Sequence, residues 1–359
     1  MNKKLKVAVI GCGGISNVHL EGYKNNPDAE IVALCDINLQ RALEKAEKYG
    51  VPVERVFDDK DKMLKAVPEI EAVSVCTWNC AHAECTIAAL KAGKHVLCEK
   101  PMAMNAKQAE AMKAAAEKAG KLLQIGFVRR YGNDADVLRD FIDAGNFGEL
   151  YYAKAQYLRR NGNPGGWFGD KSRSGGGPLI DLGVHVIDLV RYVMGNPLPV
   201  SAYGATFRKL GNRPDVKDGV EYASPDSQGA KDVCDVEDLA TALIRFDNGA
   251  VLSVEASFSL NIKSGVGSIE LFGTKAGAKI DPKINIFTNM NGYMVDVGFN
   301  KDTSLSFSGL FQREINHFVA CASGREKNCR APAEDGVVLM KILDAIYKSA
   351  ETGHEVRIK

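Results

Sequence analysis

The feature that most narrows the possible folds is the run Val7-Ala8-Val9-Ile10 entering Gly11-Cys12-Gly13-Gly14-Ile15-Ser16, followed at once by a helical pattern. A short, unbroken apolar run reads as a strand buried on both faces. Glycines at its end let the backbone turn sharply and approach a ligand with no side chain in the way. The same alternation then recurs. Strands are expected at Lys6–Ile10, Glu30–Asp36, Ala72–Thr77, His95–Cys98 and Leu122–Gly126. Helical spacing fills the gaps at Ile15–Asn25, Leu39–Tyr49, Asp61–Ala66, Ala81–Ala92 and Ala106–Ala119. Strands separated by helices imply crossover connections, hence a parallel, doubly wound sheet in an α/β domain.

The texture changes after Phe127. A helix at Ala135–Asp143 leads into the alternating strand "LYYAKAQYLRR" and then a glycine-rich loop, "NGNPGGWFGDKSRSGGGP". A helix over Leu179–Met194 follows, stopped by Gly195. Strands are expected at Ser201–Phe207, Leu239–Phe246, Ala250–Ser259, Val266–Phe272 and Ala278–Asp281, with an Asn-Gly hairpin turn in "FDNGAV". Gly211–Val233 is polar and reads as a long surface loop, and helices Ser308–Ala322 and Ala333–Thr352 close the chain. At 359 residues the chain exceeds one ordinary core. We divide it into residues 1–126 and 127–359.

Composition excludes several classes. The net charge is +1, from 46 basic and 45 acidic side chains, so no basic field for a nucleic-acid backbone is implied. No apolar stretch reaches the length of a membrane span. The lysines before Val7 are followed by too short an apolar run for a secretion signal, which points to a cytoplasmic protein. Nine cysteines, an odd number, fit reduced thiols better than a disulfide framework. Cys76, Cys80 and Cys85 cluster around His82 but lack a C-x-x-C pair, so buried thiols are favoured over zinc and no metal is expected.

Four stretches carry chemistry. The turn Gly11, Gly13, Gly14, Ile15, Ser16 places a helix N-terminus against a pyrophosphate. Asp36 ends the second strand twenty residues beyond Ser16. A carboxylate there accepts the hydroxyls of an adenine ribose and repels a 2′-phosphate, so NAD is favoured over NADP, although Arg41 nearby could tolerate the phosphate. In "VSVCTWNCAHAE" a strand ends at Thr77, which sets Thr77, Trp78, Asn79 and His82 around the cofactor; a helix start capped by Asn79 is the plainer alternative. In "KHVLCEKP" another strand ends on the same edge, with Pro101 keeping Lys100 extended and aimed, beside Glu99, at the nicotinamide; a surface Lys100–Glu99 pair is the alternative. In "SGGGPLIDLGVHVIDL" Asp181, His185 and Asp188 stand at i, i+4 and i+7 on one helix face. A His with an Asp one turn away can act as an oriented general base, and a core histidine or a metal ligand set are its rivals.

With those residues in view, the chain resembles the Gfo/Idh/MocA oxidoreductases. The resemblance is carried by "VIGCGGIS" with His19, "CTWNCAHAE", "AGKHVLCEKPMA", "GFVRRY", "GGGPLIDLGVHVIDL" and "FDNGA", over nearly the whole chain. It implies a Rossmann domain followed by an α/β domain whose open, mainly antiparallel sheet forms dimers or tetramers. It also implies that Lys100 sits beside the nicotinamide and the reacting hydroxyl, often after a cis Lys–Pro bond, and that Asp181 and His185 are the family's later pair. Trp78 stands where the family usually has Pro. The expected reaction is NAD-dependent oxidation of a secondary alcohol of a sugar, glycoside or cyclitol, with Lys100, Asp181 and His185 catalytic. By analogy with the family's glycoside 3-dehydrogenases, the ring C3 hydroxyl is the expected position. Arg129, Arg159 and Trp167 are substrate candidates, with Arg130, Tyr131 and Phe168 beside them, since a Trp face suits a pyranose and an Arg donates to several hydroxyls. An inositol dehydrogenase, an NAD-retaining glycosidase using transient oxidation and a non-catalytic NAD-binding sensor are the alternatives.

Overall fold

The computed structural model describes residues 3–213, 215–217, 220, 222–280, 283–299 and 306–359. Its chain divides into two compact units, Met1–Tyr131 with Ser306–Val337 and Gly132–Leu305 with Val338–Lys359. This differs from the division at residue 126. The helix Phe307–Ala322 returns to the first unit, because its apolar face packs Ile315, Phe318 and Val319 against Leu20, Tyr23 and the strand residues Val7 and Val9 in one buried cluster. Helical periodicity predicts that such a face is buried, but not against which sheet.

The first unit holds six strands, β1 (Leu5–Ile10), β2 (Ala29–Cys35), β3 (Val56–Phe57), β4 (Ala72–Val75), β5 (His95–Cys98) and β6 (Leu123–Ile125), in the order β3-β2-β1-β4-β5-β6. All five pairings are parallel. The doubly wound sheet expected from the alternation is therefore present; the two-residue β3 was not anticipated. Strand order reverses between β1 and β4, the place where such sheets open a crevice for a ligand. Register sets the edge of that crevice. Ile10 lies opposite Cys35 and Val75, and Val75 opposite Cys98. The residues that follow each strand, Gly11, Asp36, Cys76 and Glu99, therefore leave the sheet at one level.

The second unit holds nine strands, β7 (Leu150–Leu158), β8 (Pro199–Phe207), β9 (Leu239–Phe246), β10 (Val251–Ser257), β11 (Val266–Gly273), β12 (Ala276–Ile280), β13 (Asn285–Met290), β14 (Tyr293–Val297) and β15 (Val356–Arg357). Their order is β14-β13-β12-β11-β7-β10-β9-β8-β15, antiparallel except for β7 with β10, so the sheet is the open, mainly antiparallel one expected. Strict alternation buries Ala153, Ala155, Leu252, Val254, Ile269 and Leu271 on one face, against which helix Val184–Val193 packs. Of the last strand expected, Asp281 lies outside the described residues. The hairpin β13–β14 was missed, although Asn291 and Gly292, both at positive φ, are a two-residue turn signal between alternating runs. No helix among the described residues is long and apolar enough to cross a membrane, and all nine cysteines are free thiols.

Candidate active site

Gly11 follows β1 at φ +91°, and a Cβ there would lie 2.6 Å from the carbonyl carbon and oxygen of Cys76. Two strand ends touch at this point, so only glycine fits. At Gly13 an added Cβ would meet nothing within 4 Å, which leaves the backbone open to a ligand. Gly14 is exposed and Ile15 half-buried. Ser16 opens the helix Ser16–Lys24, and its hydroxyl donates to the Gly13 carbonyl at 2.6 Å. In the third place of the fingerprint, Ser16 thus closes the turn on itself. No side chain caps this helix and none in its first turn is acidic, as an anion-binding N-terminus requires.

Asp36 is buried, accepting the Cys12 N–H on Oδ2 at 2.7 Å and the Asn38 N–H on Oδ1 at 2.8 Å. It ties the glycine turn to the end of β2, and each oxygen keeps a lone pair for a ribose hydroxyl. Arg41 stands in the first turn of helix Leu39–Tyr49, whose cap is Asn38. Ile37, 81% exposed beside Asp36, was passed over in the sequence. A large apolar side chain left in solvent at a ligand crevice was the available signal.

At the end of β4, Thr77 donates its hydroxyl to the Trp78 carbonyl at 3.2 Å. Helix Asn79–Lys91 begins with extended Trp78 at its cap position and no side-chain cap, so Asn79 is the first helical residue and not the cap. His82 corrects the reading that placed it on the cofactor. Its ring is fully buried, with Nδ1 2.7 Å from the Pro101 carbonyl and Nε2 3.1 Å from the Thr77 carbonyl. Both nitrogens face backbone carbonyls, and the neutral ring donates to one of them, so His82 braces the two loops. Burial pulls its pKa below the ordinary value although both carbonyls favour a donor.

The Lys100–Pro101 bond is cis, as the resemblance implied. Lys100 is half-buried, whereas Glu99 is only 5% exposed. Glu99 is a second correction, because its carboxylate turns inward. Oε1 meets His19 Nε2 at 2.7 Å, and Oε2 accepts the Lys100 N–H at 3.1 Å. Burial alone would raise Glu99; the hydrogen bond and charge of His19, with Lys100, outweigh it and hold the carboxyl below its ordinary range. His19 continues through Ser74 Oγ at 3.1 Å to the Tyr23 hydroxyl, 2.7 Å further. Glu314, from helix Phe307–Ala322, joins His19 and Glu99: one ligand atom of each lies within 4.8 Å of the others. Among the described residues this is the one such group. The Cys76, Cys80, Cys85, His82 cluster does not form one, and neither does Asp181, His185, Asp188. Sequence reasoning used His19 only as a mark of resemblance and missed Glu314, which lies more than two hundred residues from Glu99.

In the second unit, Asp181 lies in a π-helical turn, Leu179–Gly183, that runs into helix Val184–Val193 carrying His185. Such wide turns occur mostly at functional sites. Asp181 and His185 are half-buried, while Asp188, expected on the same face, is buried. The start of this turn is held by Glu237, also missed in the sequence. Its carboxylate accepts the Gly177 N–H at 2.9 Å, the Leu179 N–H at 3.2 Å and the Tyr347 hydroxyl at 2.9 Å. Burial raises the Glu237 pKa in spite of those donors.

The substrate candidates divide. Arg129 is half-buried on the turn after β6. Arg130 is fully buried and pairs with Asp335 at 2.7 Å, and Tyr131 is buried too; both are core of the first unit, not ligand surface. Arg159 donates to the Gly162 carbonyl at 3.0 Å, which anchors the base of the glycine loop. Trp167 stacks on Phe168 with centroids 4.1 Å apart, and Phe168 meets Tyr222 edge-on at 6.3 Å. The loop under them is fixed by Asp232, which accepts the Gly166 N–H at 2.7 Å. Each unit thus assembles its own set: the strand-end residues with Lys100 in the first, Asp181 and His185 with the aromatic loop in the second.

Comparison with known proteins identifies the two units' family. Residues 5–127 match an oxidoreductase family model described as an NAD-binding Rossmann fold, and residues 139–358 match that family's C-terminal alpha/beta domain. The chain is 38% identical over 357 residues to D-glucoside 3-dehydrogenase of Escherichia coli K12, covering 99% of this chain and 97% of that one. It is 30% identical over 274 residues to myo-inositol 2-dehydrogenase of Thermotoga maritima, covering 76% and 73%. A levoglucosan dehydrogenase solved with NADH superposes with a TM-score of 0.84 at 24% identity, covering 99% of this chain and all of that one, a likeness of fold. The strand order, the glycine turn and the two matched domains lead to one conclusion: the chain belongs to the Gfo/Idh/MocA family of oxidoreductases.

Proposed function

We propose that the protein is an NAD-dependent dehydrogenase that oxidises a secondary hydroxyl of a sugar or glycoside, at ring C3, to the ketone. The observation that carries this reading is Lys100 on a corner braced by Glu99 and His82, at the edge where the open backbone of Gly13 and the carboxylate of Asp36 suit a dinucleotide. When bound, NAD⁺ supplies the hydride acceptor. The turn Gly11–Ser16 faces the pyrophosphate, Asp36 the ribose and Ile37 the adenine, while Arg41 leaves NAD preferred over NADP. Thr77, Trp78 and Asn79 border the nicotinamide. His185 takes the hydroxyl proton, Asp181 orients its ring, and Lys100 donates to the same oxygen, favouring alkoxide character. Arg129 and Trp167 contact the sugar. The glucoside C3 position is supported by the 38% identity to a D-glucoside 3-dehydrogenase over almost the full chain.

The same reading places the protein in a reducing compartment, consistent with its free thiols. It also makes the open sheet an interface between copies. Tyr203 on β8 stands opposite Leu243 on β9, both about half exposed, and Tyr152 stacks on Phe272 along the same face. The test mixes purified protein with NAD⁺ and a panel of glucosides, free sugars and cyclitols. NADH should appear, with a 3-keto product by NMR. Faster turnover of inositol than of any glucoside would replace this substrate with a cyclitol, and aglycone released without net NADH would replace oxidation with elimination.

A further inference from the structure

Glu314 is fully buried, and neither carboxyl oxygen has a hydrogen-bond partner among the described residues. Buried polar groups in native folds are nearly always paired, so an orphan of this kind calls for a reason. The titratable groups around it come from several elements. His19 and Tyr23 lie on helix Ser16–Lys24, Cys76 after β4, Glu99 after β5, and Tyr131 on the turn Val128–Tyr131. His82 faces Glu99 from helix Asn79–Lys91. Burial keeps the two tyrosines and the cysteine neutral. His19 and Lys100 both already answer to Glu99. The packing leaves Glu99 little room, since a Cβ on Gly126 would lie 3.2 Å from its Oε2. An ionised Glu314 would be a second anion, fully buried and facing the first.

We propose that Glu314 is a positioning residue for Lys100: it keeps its proton at working pH, so that Glu99 is the single carboxylate of the cluster and its bonds to His19 and to the Lys100 backbone go uncontested. Burial first, and then the charge of Glu99, push Glu314 well above the ordinary carboxyl value, in agreement with the geometry. When Glu314 does ionise, it competes for His19, Glu99 releases the strand end, and Lys100 loses its aim. The proposal rests on the role given above to Lys100.

Glu314→Gln keeps the neutral shape without the proton. Thermal unfolding of both proteins is followed from about pH 5 to about pH 9. Folded wild type binds a proton that the unfolded chain has released, so its Tm falls relative to Glu314→Gln as pH rises. Over the pH span in which that Tm difference grows, kcat/KM of wild type should fall at least about three-fold relative to Glu314→Gln, because the alkaline loss is removed. If Glu314→Gln does not fold, Glu314→Leu serves the melting comparison. A Tm difference independent of pH overturns the proposal, as does an unchanged pH–rate profile with kcat lowered equally throughout. Stabilisation of wild type but not Glu314→Gln by Zn²⁺ overturns it in favour of a cation. If wild type oxidises no sugar, the role of Lys100 falls and the positioning claim with it; the melting comparison identifies that case by still showing the buried proton.

Discussion

The two units hold the side chains proposed to react by opposite means. Lys100 stands at the end of a strand in an all-parallel sheet, and what steadies it is a chain of buried polar groups, Tyr23, Ser74, His19 and Glu99, ending on its own backbone N–H. Asp181 stands on a widened helical turn and His185 on the helix that follows, against a mainly antiparallel sheet, and the start of the turn is steadied by the three donors that Glu237 accepts. The first arrangement is rigid because every strand around it is buried on both faces. The second relies on local capping, because its sheet is buried on one face only.

The comparison can be broken at its chemical ends first. His185→Ala should lower kcat by about 10²–10⁴-fold. Its NAD⁺ affinity, measured by fluorescence titration, should change by less than about two-fold, because the residues proposed to hold NAD⁺ all lie in the first unit. Lys100→Ala should cost a similar factor in kcat; full activity in both variants would dismantle the mechanism. Gly11→Ala acts in the other direction. A methyl group 2.6 Å from the Cys76 backbone, at φ +91°, should destabilise the first unit by about 1–3 kcal/mol and weaken NAD⁺ binding most of all.

Capping is the next lever. Glu237→Ala removes the acceptor for two backbone N–H groups and the Tyr347 hydroxyl, and should cost about 1.5–3 kcal/mol in chemical denaturation. It should lower kcat while NAD⁺ affinity holds; equal loss of both would mean that the anchoring is not local to the second unit.

The smallest effect is one of pH. In the first unit His95 Nδ1 accepts the Leu122 N–H at 3.1 Å and His317 Nε2 accepts the Arg330 N–H at 3.0 Å, so each ring must be unprotonated there. Burial, the first cause for both, lowers their pKa values from 6.5. The unfolded chain therefore takes up protons first as pH falls, and the stability these rings confer at neutral pH is lost from 6.5 downward. The two tryptophans divide between the units, Trp78 in the first and Trp167 in the second. Single-tryptophan variants that also carry Glu314→Gln, so that the opposing Glu314 proton is absent, unfolded at about pH 8 and about pH 6, should show the Trp78 transition weakening by about 1 kcal/mol and the Trp167 transition less. Equal shifts would erase the distinction.

Much of this was legible in the chain. Helices Leu39–Tyr49 and Ala106–Ala119 have the bounds their apolar spacing implies, and Gly50 and Gly120 close them at positive φ. Strand β5 likewise begins and ends where "HVLC" does. The π-turn was not legible, because a one-residue widening leaves the apolar stripe of the following helix unchanged. Nor was the inward turn of Glu99 or His82: residue type tells that a group can ionise or ligate, and not which way the fold aims it.

Local chemistry by itself determined where strands end, where glycine is obligatory and which side chains could carry acid, base or charge, since those depend on neighbours a few residues away. Only the tertiary structure decided that helix Phe307–Ala322 belongs with the first sheet and that Glu314 comes to rest against His19 and Glu99. Contacts across more than two hundred residues of chain are selected by complementary packing and by exclusion of water, and neither leaves a mark in any short window of sequence.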